Sequence, residues 1–394
     1  MKVPIKKYSA GAFIYLDGKI NPGDFFIVKS GQVKIIRTNK ILGDSEDIKG
    51  IGYIFGIIQS ITGITEEETV QALSDCEIFQ LKKDEISLLY SNHPSVILKI
   101  ISEYSEILRK LDKDLVMYDI FLTSGNRSER VCEIAEKYIA IGQPDKASRL
   151  LNSFILEPDV DSQCVSMAKS MLNKVPGIPF ELYNVDNIIQ HKRINKGTII
   201  FTEYELGNSM FIIKKGKVKI TKLKNDKEIL LAVIGEGQIF GEMSIFNDKP
   251  RNATAYAVEN TDLMIVDEKG LRNLPPSIFV KTLELLTKRI WFVQQQLMAY
   301  KFPFPPARLY YFLYAKLKQL NPRIEHDSNR GHVFSISLDD LFLMTDFDKD
   351  NRSEAGPFLS DDNFEFTTDS IKVRSIKKLL DKKSYYFARL DSPN

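Results

Sequence analysis

Two stretches of the chain, residues 25–36 (FFIVKSGQVKII) and 210–221 (MFIIKKGKVKIT), follow one pattern and decide the fold. They are offset by 185 residues (210 − 25), and this offset pairs the two copies without a gap from residue 25 to residue 89. Under it, GYIFG at 52–56 falls on GQIFG at 237–241. Repetition at a fixed offset indicates one structural module present twice. We call the modules copy one and copy two.

Each copy has the pattern of short β-strands. Apolar residues alternate or run together in both stretches, and Gly31 and Gly216 lie where the chain must turn. Strands of about five residues, separated by Gly and Asn-Asp turns, predict a small β-barrel or β-roll. The fold class expected is α+β: two β-rolls each followed by a long helix, a helical hairpin between them, and a winged-helix-like C-terminal domain.

The helix predicted after each copy has apolar residues at alternating spacings of three and four, which is a heptad seam. The first seam is Ile97, Ile101, Tyr104, Leu108, Leu111, Leu115, Tyr118 and Leu122. The second seam is Phe279, Leu283, Leu286, Ile290, Val293 and Leu297. This narrow stripe favours helix-on-helix pairing, within the chain or in a homodimer, over docking on the helix's own β-roll, which takes a broader apolar face.

Residues 129–174, between the copies, have a helical pattern. Ala135, Tyr138, Gly142 and Ala147 are spaced as in one tetratricopeptide repeat, a helical hairpin with Gly at its turn. A single repeat cannot bury its own apolar face, so we expect a packed spacer. A partner-binding hairpin is the alternative.

Composition excludes several classes of protein. The chain has 394 residues, and 54 basic minus 52 acidic residues leave a formal charge of +2, too little for a nucleic-acid binder that works by bulk charge. Cys76, Cys132 and Cys164 lie far apart, which excludes a disulfide framework and predicts a reducing, cytoplasmic location. No secretory signal or membrane-spanning run is apparent. The four histidines are scattered and no catalytic motif appears, so we predict neither an enzyme nor a metal site.

The segment with the most distinctive chemistry is FGEMSIFNDKPRNATA at residues 240–255, here called the cassette. Gly241 lets the backbone approach a ligand closely. Glu242 can accept hydrogen bonds from hydroxyls, and Arg251 offers a planar fork of donors suited to a phosphate.

The cassette resembles the phosphate-binding cassette of the cyclic-nucleotide-binding domain family, FGE(L/M) followed by PR-x-A-(T/S), and FIIKKGKV at 211–218 resembles that family's strand-turn-strand. The family includes the catabolite activator protein and the regulatory subunits of cyclic-AMP-dependent kinase. The resemblance covers about residues 181–300.

By this resemblance, Glu242 would accept the ribose 2′-hydroxyl, Arg251 would pair with the cyclic phosphate, and the backbone of Gly241 and Ala253 would line it. The ligand site would also include Met243, next to Glu242, and Asn252, which could add a side-chain donor. Purine contacts would come from the following helix, at Gln294 and Gln295. The ligand expected is cyclic AMP or cyclic GMP, with a cyclic dinucleotide left open.

Copy one lacks the two key side chains of the cassette. At the same offset, Glu242 is replaced by Ile57, and Arg251 by Glu66 in an acidic run. A reversed charge repels an anion, so copy one should keep the fold and lose this ligand. We expect a structural or dimerisation role for it, with a different ligand as the alternative.

The C-terminal hundred residues are expected to form the output domain. We predict a helix at 307–320, strands at 333–338 and 385–390, and helices from 337 and at 369–380, an order typical of a winged helix. Lys372, Arg374, Lys377 and Lys378 give the last helix a basic face suited to DNA phosphates. Residues 339–369, however, contain ten acids and two bases, and this acidic insertion opposes DNA.

The domains expected are a degenerate β-roll at 1–90, a long helix at 91–125, the spacer at 126–180, the nucleotide-binding β-roll at 181–275, a C-helix at 276–300 and the output domain at 301–394. The function expected is a cyclic-nucleotide-switched transcription regulator of the catabolite activator and Fnr type, dimeric through the C-helix. The alternative is a regulator that acts on a protein partner without binding DNA.

Overall fold

The computed structural model describes residues 4–16, 23–37, 46–64, 68–117, 127–158, 160–175, 189–224, 227–247, 249–271, 273–322, 324, 330–345, 347 and 352–389. The chain divides into two compact units, each built from separate segments. The first comprises Met1–Leu111, Pro275–Leu338 and Lys349–Asn394, and the second comprises Asp112–Leu274 and Asp339–Asp348.

Copy one is a β-roll of two four-stranded sheets. Its elements are β1 (Ile5–Tyr8), β2 (Phe13–Tyr15), β3 (Asp24–Ser30), β4 (Val33–Arg37), β5 (Glu46–Lys49), β6 (Ile54–Phe55), α1 (Ile57–Thr62), β7 (Glu68–Ala72), β8 (Cys76–Lys82), α2 (Ile86–Asn92) and α3 (Pro94–Met117). The sheet orders are β1-β8-β3-β6 and β2-β7-β4-β5. Alternating apolar residues of both sheets bury a core that includes Val33, Ile35 and Ile78.

Copy two repeats this topology strand for strand. Its elements are β9 (Ile189–Ile194), β10 (Ile199–Phe201), β11 (Ser209–Lys215), β12 (Val218–Lys224), β13 (Lys227–Ile234), β14 (Ile239–Phe240), α7 (Glu242–Asn247), β15 (Thr254–Ala257), β16 (Thr261–Asp267), α8 (Glu268–Leu271) and α9 (Pro276–Ala299). The sheet orders are β9-β16-β11-β14 and β10-β15-β12-β13. The duplication read from the sequence is therefore confirmed.

In the part of the spacer that the structure describes, three helices belong to the second unit: α4 (Arg127–Ala140), α5 (Pro144–Ile155) and α6 (Ser162–Leu172). Gly142 makes the turn between α4 and α5 with φ of 75°, which explains a glycine there. Ala135, Tyr138 and Ala147 are fully buried in a core that also takes in Leu223 of β12. These buried positions are thus used for packing, as expected of a spacer.

The second seam is buried inside the chain. Its six residues are at most 5% exposed, and α9 packs within the first unit against α1 and α2 of copy one. The rings of Phe279 and Tyr90 stack with centroids 4.2 Å apart. The second seam therefore packs on other helices of the same chain, and a homodimer through this helix stays a prediction.

The first seam is also buried on α3 from Ile97 to Leu115, with exposures of at most 8%. Tyr118 and Leu122 lie outside the described residues.

The C-terminal region differs from the sequence prediction near its end. It contains α10 (Pro305–Leu320), β17 (His332–Phe334), α11 (Leu338–Met344), a 3-10 turn (Arg352–Ala355), α12 (Gly356–Leu359), β18 (Phe364–Phe366), β19 (Ile371–Val373) and α13 (Ile376–Phe387). Residues 371–373, predicted as helix, form the central strand of the sheet β17-β19-β18. Tyr385–Phe387, predicted as strand, form the end of α13, and the rings of Tyr386 and Phe387 pack against Tyr310 and Tyr311 of α10.

No helix among the described residues is both long enough and apolar enough to span a bilayer.

Candidate functional site

The cassette begins at a tight turn between β14 and α7. Gly241 forms this turn with φ of 76°, a conformation that disfavours side chains. A Cβ atom at Gly241 would also come within 2.8 Å of Nη1 of Arg251. The glycine is therefore required both by the backbone and by the guanidinium.

The guanidinium of Arg251 lies inside the β-roll, and the residue is only 6% exposed. Nη1 donates to the carbonyl of Gly241 at 2.7 Å and to Oγ of Ser244 at 2.5 Å, and Nη2 donates to Oγ of Ser209 at 3.2 Å. Nε has no hydrogen-bond partner among the described residues. The group therefore keeps a donor available in a buried site.

Aromatic rings and a second glycine shape the space around this guanidinium. Its central carbon lies 4.4 Å from the ring centroid of Phe201 and 5.5 Å from that of Phe211. A Cβ atom on Gly207 would come within 2.5 Å of Nη2 of Arg251, so a larger residue would displace the guanidinium. The position of Arg251 is thus fixed by packing as well as by hydrogen bonds.

The charge of Arg251 has no partner at ion-pair distance among the carboxylates that the structure describes. Burial lowers the pKa of Arg251 to about 10, against the opposing effects of Glu205 and Glu242. Arg251 thus stays cationic at neutral pH while buried and incompletely compensated. Such a group gains most from an anion that enters the same site.

The residues around Arg251 that the sequence singled out are also buried. Glu242 begins α7 and is 2% exposed, Met243 follows it at 6%, and Ala253 precedes β15 at 7%. Because Glu242 and Arg251 interact electrostatically, the cassette brings an acceptor and a cationic donor into one site.

Asn252 makes hydrogen bonds to other residues of the protein. Its Nδ2 donates to Oδ2 of Asp112, on α3, at 2.7 Å, and its carbonyl accepts from Nζ of Lys222 at 2.5 Å. The Asn252 amide therefore makes a hydrogen bond within the protein, to a residue of α3. Its contact with a phosphate stays a prediction.

Gln294 and Gln295 lie on α9, which belongs to the first unit, whereas the cassette belongs to the second. Oε1 of Gln295 accepts a hydrogen bond from the hydroxyl of Tyr311 at 2.8 Å. Their role in purine recognition stays a prediction.

Two buried carboxylates flank the cassette, and both bind the spacer. Glu205 accepts from Nε and Nη2 of Arg149 on α5, at 3.1 and 2.9 Å. Glu203 accepts from the Tyr138 hydroxyl on α4 at 3.0 Å, and burial raises the pKa of Glu203. Tyr204, between them, has φ of 67°, the only left-handed residue other than glycine in the described part of the chain. Strained backbone of this kind is common at ligand sites.

Copy one fills the corresponding space with its own side chains. Gln59 aligns with Ser244 at the 185-residue offset, is 2% exposed, and accepts a hydrogen bond from the hydroxyl of Tyr15. Tyr15 packs against Phe26 and Phe55, as Phe201 packs against the aligned Phe211 and Phe240. The Tyr15–Gln59 pair of copy one thus corresponds to Phe201 and Ser244 of copy two.

The other substituted positions of copy one are only partly described. Ile57 is fully buried, which is consistent with loss of the acceptor, whereas Glu66 lies outside the described residues.

The four basic residues proposed for DNA do not share a helix. Lys372 lies on β19 and Arg374 follows it, whereas Lys377 and Lys378 lie on α13. Lys372 pairs with Glu365 at 3.0 Å and Lys378 with Asp362 at 3.5 Å. The single basic helix face is therefore corrected, because the strand pairing of β19 separates its members.

Lys372 and Arg374 instead meet Arg330 and His332 beside β17 and β19. With Gly331, Val333 and Val373 they line a cavity of about 630 Å³ that contains no acidic lining residue. We call this cluster the basic cavity. Its residues come from strands and loops, so helical periodicity in the sequence could not reveal it.

Sequence reasoning missed Glu205, Gly207, Ser209, Ser244 and Arg149. The first three lie just before or in β11, in ELGNS at residues 205–209, and Ser244 lies within the cassette. Polar residues beside the FII strand were the available signal for these four. Arg149 is more than a hundred residues away, and no local signal identifies it.

Comparison with known proteins identifies the repeated module. The model of the cyclic nucleotide-binding domain matches residues 5–93 and 191–275. The cyclic AMP receptor protein of Thermus thermophilus is 30% identical over 134 residues, which are 33% of this chain and 62% of that protein. A CRP-like cAMP-activated global transcriptional regulator of Mycobacterium tuberculosis is 34% identical over 99 residues, 24% of this chain and 44% of that one.

Proteins of other kinds match the chain as well. The cAMP-dependent protein kinase type II regulatory subunit of Drosophila melanogaster is 27% identical over 113 residues, 27% of this chain and 30% of that protein. Lysophospholipase NTE1 of Chaetomium globosum is 22% identical over 130 residues, 32% of this chain and 8% of the enzyme.

Among solved structures, the regulatory domain of Toxoplasma gondii PKA with cAMP is similar over 73% of this chain and 85% of that one, at 17% identity and a TM-score of 0.23. The chain spans less than two thirds of each of these sequence relatives. The two matched regions nevertheless agree with the two β-rolls, and the chain therefore carries two domains of the cyclic nucleotide-binding family, at residues 5–93 and 191–275.

Proposed function

We propose that copy two binds a cyclic mononucleotide, cyclic AMP or cyclic GMP, and that the protein is a regulator switched by this ligand. The observation that carries the proposal is the buried guanidinium of Arg251, cationic, without an ion-pair partner among the described carboxylates, and with Nε available. A cyclic phosphodiester is a compact anion that matches this fork. Glu242 would accept the ribose 2′-hydroxyl, while the Gly241 and Ala253 backbone lines the phosphate.

In this proposal, copy one binds no cyclic nucleotide. Its pocket holds the Tyr15–Gln59 pair, and it has no arginine at the aligned position. Its role is structural, and it provides the surface on which α9 packs.

Calorimetric titration with a panel of cyclic mono- and dinucleotides tests the ligand. Arg251→Ala should weaken binding at least roughly tenfold, since a hydrogen bond to a charged group contributes about 1.5–3 kcal/mol. Gln59→Ser, which places the residue of copy two at the aligned position of copy one, is the matched control and should leave affinity unchanged. A wild type that binds no member of the panel contradicts the proposal, as does equal loss in both variants.

The output of the switch has two candidates. One candidate is transcription control through DNA, and the basic cavity supports it. The order of elements from α10 to β19, which is helix, strand, helix, helix, strand, strand, also supports it because it extends a winged-helix pattern. Action on a protein partner is supported by α12, which occupies the place of a recognition helix in that order but spans only Gly356–Leu359 and carries no basic residue.

Retention on duplex DNA separates the two candidates. If DNA is the target, Lys372→Glu with Arg374→Glu should abolish retention at about 50 mM salt, because phosphate contacts dominate such binding. Lys377→Glu with Lys382→Glu makes the same charge change outside the cavity and should retain DNA. No retention by the wild type, with or without cyclic AMP, would leave the protein-partner candidate.

A further inference from the structure

We propose that Arg149, on the spacer helix α5, is a positioning residue for the anion site, because it neutralises Glu205 and so leaves the charge of Arg251 available to a ligand. This inference rests on the proposed binding of a cyclic nucleotide at Arg251.

Two buried residues of opposite charge form an ion pair near the cassette. Arg149 and Glu205 are 7% and 4% exposed, and they form a two-point ion pair with bonds of 3.1 and 2.9 Å. Oε2 of Glu205 also accepts from the backbone N–H of Thr202 at 2.9 Å. Both carboxylate oxygens are therefore already engaged by groups other than Arg251.

Glu205 is nevertheless the immediate neighbour of Arg251. Its backbone carbonyl accepts from the backbone N–H of Arg251 at 2.8 Å, and its charge is felt by the Arg251 guanidinium. Despite this proximity, the guanidinium donates to Gly241, Ser244 and Ser209 and makes no hydrogen bond to the Glu205 carboxylate. The Glu205 carboxylate pairs with Arg149 instead.

Removing Arg149 would change this charge balance. Glu205 would become a buried carboxylate whose nearest available cation is Arg251, and an uncompensated buried charge is strongly disfavoured. An ion pair between Arg251 and Glu205 would then compete with the ligand phosphate. Arg149 thus acts on the ligand through Glu205 without contacting the ligand.

The decisive experiment is a double-mutant cycle on the full chain, with cyclic AMP and cyclic GMP as probes. Arg149→Met should weaken binding roughly 10- to 100-fold, the loss expected when a charged hydrogen bond to the phosphate is replaced. Glu205→Gln in that background keeps an oxygen for the Thr202 N–H and removes the competing charge. The double variant should therefore bind within about threefold of the wild type, as coupled neighbours do.

A matched control separates positioning from general support of the fold. Lys146 lies on the same helix, is equally buried, and forms its own ion pair with Glu228. Lys146→Met should leave affinity nearly unchanged. Competition by adenosine and guanosine, which lack the phosphate, gives a second readout, because only the cyclic nucleotides should lose affinity in Arg149→Met.

The outcomes are distinguishable from failure of the proposed function. If the wild type binds neither cyclic nucleotide, the proposed function fails before this test begins. If the wild type binds and Arg251→Ala does not, but Arg149→Met binds normally, the positioning role is overturned. It is also overturned if Glu205→Gln restores nothing, or if Lys146→Met loses as much affinity as Arg149→Met.

Discussion

Replacing Ile290 by alanine tests whether the second seam is used inside the chain. Ile290 is 1% exposed, and the neighbouring seam residues Leu286 and Val293 are 1% and 5% exposed. Truncating a fully buried isoleucine costs about 2–5 kcal/mol through lost burial and the cavity left behind. Because whole domains are stable by only about 5–15 kcal/mol, this is a large share of the stability of the first unit.

The chain provides its own probe for this measurement. Trp291 is the only tryptophan, it is 7% exposed, and it lies on α9 beside Ile290. Urea unfolding followed by tryptophan fluorescence should therefore report the first unit, and Ile290→Ala should lower its midpoint by about 1 M or more, given typical denaturant slopes. Leu285→Ala, on the same helix but half-buried and outside the seam, should lower it less.

Sedimentation completes the test. If the seam is intramolecular, Ile290→Ala should leave the molecular mass unchanged under native conditions. A wild-type dimer that Ile290→Ala converts to a monomer of unchanged stability would refute the reasoning.

Three further outcomes follow from individual contacts. Tyr15→Phe removes the hydroxyl that donates a hydrogen bond to Gln59, and it should destabilise copy one by about 1–3 kcal/mol, as measured by thermal melting. The same variant should not create nucleotide affinity in copy one, as measured by calorimetric titration. Burial raises the pKa of Glu203 in the folded state, so its contribution to stability is fully present below the unfolded pKa and is lost as pH rises from there through the folded pKa. Glu203→Gln, which removes this titration, should therefore raise the melting temperature more at pH 8 than at pH 4. Asn252→Ala should cost about 1–3 kcal/mol of stability through the lost bond to Asp112 and leave the phosphate contribution to ligand affinity intact, whereas a selective loss of that contribution would favour a direct phosphate contact.

The parts of the fold that sequence could predict are those with local signals. The strands of both copies could be predicted because the same glycine turns and the same alternation of apolar residues occur twice in the sequence. The cassette marked Gly241 and Arg251 because both act within one short segment. The heptad spacing of the second seam indicated a helix that packs on other helices, although it could not identify the partner.

The errors have a common physical origin in contacts between distant residues. Residues 371–373 (IKV) continue a helical pattern of lysines and apolar residues, yet they pair with β17 and β18. The true helix start was marked by Ser375, whose side chain accepts from the backbone N–H of Lys378. The hydrogen bond from Asn252 to Asp112, 140 residues away in sequence, likewise has no local signal.

The interleaved order of segments constrains how the protein is made on the ribosome. The first segment of the first unit ends at Leu111 and the next begins at Pro275, so the 163 residues from Asp112 to Leu274 (274 − 112 + 1) must be synthesised in between. At about 5–20 residues per second, this takes roughly 8 to 33 s. During that interval α1 and α2 of copy one have been made, but α9, which covers them, has not. Nascent chains halted before Pro275 should therefore expose this apolar surface and recruit chaperones, and completion of α9 should end that recruitment.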